Sequence, residues 1–181
     1  MQMSPFALPD SSDVAKMTHD VVVLLLRATI WLAVCAWAAT EGLRSTRQAR
    51  RALARAVWTA GALLLAVHTA IAFQFWHGWS HVAAIEATAQ QSAALTGVAA
   101  GWGLYLNYAL VLVWLGDAVW WWRDPGGYQA RSRALDTGIF VFFLFMMING
   151  AVVFATSPMR LAGALAVALA IAARIRRRTL R

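Results

Sequence analysis

Five stretches of this chain run for about the length of a bilayer crossing with few charges in them, and short arginine-bearing segments interrupt the series. A helix that crosses roughly 30 Å of hydrocarbon needs about 20 predominantly apolar residues. Its backbone must satisfy all its hydrogen bonds internally, since no water is available there. Residues 20–40, 55–76, 98–122 and 137–155 meet that length clearly, giving helices of roughly 28 to 38 Å at 1.5 Å per residue. The fifth stretch, residues 158–175, is short at about 27 Å, and Arg160 falls in its first turn.

The arginines decide whether that fifth stretch crosses. Arg44, Arg47, Arg50, Arg51 and Arg55 lie between the first and second stretches. Arg123, Arg131 and Arg133 follow the third, and Arg174, Arg176, Arg177, Arg178 and Arg181 close the chain. No Lys or Arg occurs between the second and third. Lys and Arg in short loops collect on the cytoplasmic side, and all three groups reach one side only if the fifth stretch crosses. Ser157 suits a helix cap and Pro158 a first helical position, while Arg160 and Arg174 can snorkel to opposite interfaces. The expectation is an all-α integral membrane bundle forming a single transmembrane domain over residues 1–181. It has five transmembrane helices, four clear and the fifth short, with a short outer-face helix between spans two and three. The N-terminus lies outside and the C-terminus in the cytoplasm. Trp76, Trp79 and Trp102 would mark the outer boundary, and Trp58, Trp120, Trp121 and Trp122 the inner one.

Composition agrees: 61% of the residues are hydrophobic and 13% charged, so the partner for most of this surface is lipid. The net charge of +8 comes from clusters between apolar runs, not from a basic face interleaved with polar residues, which argues against nucleic acid. Cys35 is the single cysteine, so an internal disulfide and a Cys-x-x-Cys site are excluded. The start of the chain, with Asp10, Asp13 and Lys16, lacks a signal peptide's basic opening and cleavage site, and the first span is expected to stay.

Polar side chains within spans are costly, which makes them candidates for function. On span one, Asp20, Leu24, Arg27, Trp31, Val34, Ala38 and Glu41 share a face. On span three, Gly103, Asn107, Leu110, Trp114 and Asp117 do the same. By helix rise, Arg27, His68, Asn107 and Asn149 each lie about 10 to 14 Å below the outer boundary, so four helices could contribute to one polar layer that holds a small ligand. The blander reading is that they hydrogen-bond across helices as packing glue. Asp117, close to the inner boundary, is read as the partner of Arg55 or another interfacial arginine.

The outer segment is richest in ligand-type side chains. If His77 and His81 lie on one helix, their four-residue spacing projects both imidazoles from one face, with Glu86 nearby and His68 able to join if the chain bends at Gly78. That set would suit a divalent transition metal. Haem is a subordinate version, because spans three to five contain no histidine and only His19 could oppose the others. The alternative is that these rings occupy the headgroup region, where amphipathic aromatics settle.

The run His77-Gly78-Trp79-Ser80-His81, followed by Gly103, Tyr105, Asn107 and Tyr108 and by Val-Trp-Leu-Gly-Asp-Ala-Val-Trp-Trp-Trp, resembles a group of small uncharacterised bacterial polytopic membrane proteins. The resemblance covers the central third of the chain and implies a bacterial cytoplasmic membrane, with no activity attached. Three functions therefore compete: metal binding at the outer histidines, ligand binding or transport through the polar layer, and a structural or assembly role beside other membrane subunits. No Ser-His-Asp order, catalytic carboxylate pair, phosphate loop or His-Glu-x-x-His motif supports an enzyme.

Overall fold

A computed structural model describes residues 10–44, 48–155 and 157–179. These residues form seven α-helices and one π-helical turn: α1 (Ser11–Leu43), α2 (Gln48–Trp76), α3 (His81–Thr96), α4 (Gly103–Arg123), α5 (Pro125–Ala130), α6 (Arg133–Ile148), the π turn (Asn149–Val153) and α7 (Ser157–Thr179). Five segments are long and apolar enough to cross a membrane: α1, α2, α4, α6 with its π turn, and α7. The fifth span is not short. Its 23 residues give about 34 Å of helix, because the helix continues through the arginines that close the apolar run. Arg47 and Arg181, counted with the basic groups, and the side chain of Ser157 lie outside the described residues.

The spans pack as a closed ring in which α1 touches α2, α2 touches α4, α4 touches α6, α6 touches α7, and α7 returns to α1. Aromatic rings fill the middle. Trp58, Trp114 and Phe143 are essentially inaccessible and lie 5.0 to 5.2 Å apart, with Trp37 stacked on Phe140 beside them. The Trp114 indole donates to the Trp58 carbonyl at 3.1 Å, which a carbonyl inside a helix can accept through its second lone pair. Trp58 is therefore a core residue, not the interfacial anchor that its position near an arginine cluster predicts. Trp76, Trp79, Trp102 and Trp122 are exposed, as rings in a headgroup belt would be.

Two local features set how the last span sits. The chain leaves α6 through a π turn, whose extra residue per turn breaks the ordinary ladder and redirects the segment before α7. Gly163 of α7 then lies directly against the backbone of Ala151 in that turn, where a Cβ atom would overlap the Ala151 carbonyl. The contact is therefore backbone to backbone, the close approach that glycine permits between membrane helices.

The non-spanning helices occupy opposite ends. α3 rests on α4, with Ser80 capping its start by accepting from the Ala83 amide at 3.2 Å and Gly97 closing it in the left-handed conformation. α5 begins with Asp124 accepting from the Gly127 amide at 2.8 Å and Pro125 in the first turn, and it turns Tyr128 inward.

Candidate functional site

At the end opposite the arginine clusters, the His19 and Trp76 rings meet at 5.3 Å, which puts those two positions of α1 and α2 at one level. Eight residues inward along each helix, about 12 Å at 1.5 Å per residue, lie Arg27 and His68. The equal depth of these two is real, yet the polar layer does not close. His68 turns to α1, its Nδ1 lying 3.0 Å from the Leu26 carbonyl and 3.3 Å from the Thr29 hydroxyl. Arg27 is exposed on the far side of α1, and no described residue hydrogen-bonds or pairs with it. Asn107 is exposed on α4. Asn149 donates to the Phe145 carbonyl of its own helix at 2.8 Å. Depth along a helix was legible, but the direction around it depends on which neighbours the helix finds.

The outer histidines are also arranged differently from expectation. His77 lies in the turn after α2, and α3 begins only at His81, so the two do not share a helical face. The turn uses Gly78 at φ +52° and Trp79 at φ +60°. That is a strained conformation for a bulky side chain, held by the Trp79 amide donating to the Phe73 carbonyl at 3.0 Å and its indole donating to Gln74 at 2.7 Å. The His81 ring lies between two phenols, with Nδ1 3.0 Å from the Tyr108 hydroxyl and Nε2 3.4 Å from that of Tyr105. His77 instead packs on Phe73, and Glu86 is exposed. Among the described residues, no group of three or more His, Cys, Asp or Glu side chains comes together to hold a metal ion.

The densest polar constellation lies at the basic end, where α1, α4, α5, α6 and α7 converge. Asp136, on the first turn of α6, receives three arginines: Arg131 at 2.5 Å, Arg174 at 2.6 Å and Arg44 at 3.5 Å. Arg174 also donates to the Asp136 carbonyl at 2.9 Å. Asp117 binds Arg131 at 2.8 Å and accepts from the Tyr128 hydroxyl at 2.7 Å, so its partner is Arg131, not Arg55. Arg55 instead lies 3.9 Å over the Trp122 ring. Glu41 is 97% buried and faces Arg177 at 3.1 Å, Arg174 at 3.5 Å and Arg44 at 3.6 Å.

Aromatic rings wall this network. Arg174 lies 4.1 Å over Phe140, and Arg44 sits between Trp58 and Trp121 at 5.2 and 5.3 Å. Trp121 stacks on Tyr128 at 4.6 Å, and the Tyr128 hydroxyl accepts from Arg44 at 3.1 Å. Burial pushes the Tyr128 phenol well above its ordinary range, so it stays protonated and can donate to Asp117. Charges so enclosed are tolerable because each carboxylate meets at least one guanidinium in good geometry.

Glu41 and Asp117 carried a faint signal in the sequence, as acidic residues at the arginine-rich ends of their spans. Asp136 and the convergence of Arg44, Arg131, Arg174 and Arg177 on three carboxylates did not, because these arginines are dispersed over residues 44–177. Comparison with protein-family models, curated proteins and solved structures gives no match.

Proposed function

We propose that this polytopic helical membrane protein is a non-catalytic assembly subunit whose first span docks on another membrane polypeptide through Arg27. The observation that carries the reading is the lipid-facing guanidinium itself. Charged side chains within a span normally face a bundle interior or pair with one another, and translocon scales put an arginine at mid-span about 2.5 to 3.5 kcal/mol uphill. Arg27 lies about 12 Å below the level of Trp76, exposed and without a partner among the described residues. The buried carboxylates at the opposite end, Glu41 and Asp117, and the half-buried Asp136 are already engaged by Arg44, Arg131, Arg174 and Arg177. Leu24, one turn away on the same side, is 66% exposed and extends the face a partner would cover. The partner this chemistry fits is a membrane helix with an Asp or Glu side chain at matching depth. The same reading sets the basic end in the cytoplasm of a bacterial cell and the N-terminus outside, following the arginine asymmetry and the resemblance carried by His77–His81.

A photo-crosslinking residue at Ala28, exposed beside Arg27, tests the proposal against the same residue at Leu161, which is 78% exposed on α7. The expected result is one protein adduct from position 28, lost when Arg27→Leu is added and traced by mass to a polypeptide with an acidic residue in its span. Position 161 should give lipid adducts only. Lipid adducts alone from both positions, or a protein adduct indifferent to Arg27→Leu, would overturn it.

A further inference from the structure

Arg55 is held in place without a counter-charge. Its guanidinium, reaching from α2, stacks 3.9 Å over the Trp122 ring of α4. Trp122 is fixed in turn, because its indole donates to the Thr59 hydroxyl at 2.9 Å and that hydroxyl donates to the Arg55 carbonyl at 2.9 Å. The acids of this end are committed elsewhere: Glu41, Asp117 and Asp136 to Arg44, Arg131, Arg174 and Arg177, and Asp124 to the cap of α5. Arg55 therefore meets no anion among the described residues. Its Nε is enclosed against the protein with no hydrogen-bond partner, which leaves the two terminal nitrogens as the donors it can offer outward. Arg123, next to Trp122 on α4, is exposed and also lacks a partner among the described residues.

We propose that Arg55, with Arg123 beside it, binds the headgroup phosphate of an anionic phospholipid in the leaflet at the basic end. A guanidinium is planar, and stacking one face on a ring leaves its N–H edge free, the fork that grips two oxygens of a phosphate. The level suits a headgroup, since Trp122 is 51% exposed, as an interfacial ring would be. One turn further into the spans from Thr59 and Trp122, Leu63 on α2 and Val119 on α4 are 55% and 49% exposed, so an acyl chain can continue from the phosphate along the seam between these two helices. Charge selects the lipid class. A zwitterionic headgroup would bring its own ammonium among Arg50, Arg51 and Arg123, whereas an anionic one adds no positive charge there. The site is built from α2 and α4 and does not depend on the docking of α1 through Arg27.

Native mass spectrometry of the delipidated full-length chain in neutral detergent tests this, with phosphatidylglycerol or phosphatidylcholine of the same acyl chains titrated in. The first phosphatidylglycerol adduct should form about tenfold more tightly than the first phosphatidylcholine adduct, the scale of one charge-assisted hydrogen-bonded pair, and Arg55→Leu should abolish that preference. Arg55→Lys keeps the charge without the planar fork and should lose most of the preference, which keeps the test decisive if Arg55→Leu fails to fold. Arg176→Leu removes the same charge from α7, which packs on α1 and α6, and should leave the preference intact. Equal affinity for the two lipids in the parent protein would overturn the proposal. Displacement of the lipid by an equal concentration of soluble glycerol phosphate would overturn the lipid as the source of the phosphate. A loss in Arg176→Leu equal to that in Arg55→Leu would trace the preference to the overall charge of this end and overturn the assignment to Arg55.

Discussion

The two ends of this bundle handle polar side chains in opposite ways. At the basic end, Asp136 alone draws in Arg44, Arg131 and Arg174 from two spans and a connecting segment, and Glu41 adds Arg177. At the other end, Arg27 and Asn107 face outward, Asn149 bonds back to its own helix, and His68 links α2 to α1. The difference teaches that position near an interface does not by itself make a charge a surface charge. Helix ends at the basic side carry both signs, so the helices can close over matched pairs. Arg27 has no acid among the described residues placed to meet it and is left on the outside.

The sharpest way to break this contrast is to remove its hub. Asp136→Ala takes the shared carboxylate from three guanidinium groups and should cost roughly 3–5 kcal/mol, the range for breaking a buried ion pair, seen as early unfolding in detergent. Second in size is Gly163→Val, which forces a side chain into the Ala151 backbone and should destabilise by about 1–3 kcal/mol in the same unfolding assay. A smaller effect is expected from His68→Leu, which deletes the contact to Leu26 and Thr29 and should lower stability by on the order of 1 kcal/mol. The smallest belongs to Arg27→Leu, which should leave the isolated chain within about 0.5 kcal/mol of the parent, because no partner among the described residues is lost. A large loss for Arg27→Leu together with a negligible one for Asp136→Ala would reverse the account of the two ends.

Much of the architecture was legible because lipid is an undemanding solvent to read. The apolar runs around His68, Trp114 and Phe143 had to be spans, and the alternation of arginine clusters required a fifth crossing, which α7 makes. The helix between spans two and three was legible too, although not its start. Placing both His77 and His81 on it ignored what Gly78 and Ser80 signal, a tight turn followed by a helix cap. Trp58 went the other way: an indole beside arginines reads as an interfacial anchor, yet it lies under Trp114 and Phe143.

What the sequence determined by itself was how many segments are long and apolar enough to cross a membrane, that Arg27 and His68 lie at one level and which loops carry the charge. Each of these follows from hydrophobicity and helix rise, which are one-dimensional properties. Only the tertiary structure decided direction. Rotation of each helix about its axis put Glu41, Asp117 and Asp136 in reach of four arginines and turned Arg27 away from all of them. That rotation is fixed by which rings and small residues interlock, Trp58 with Trp114 and Phe143, and Gly163 with Ala151. Such contacts join residues far apart in the chain, and no periodicity within a single helix encodes them.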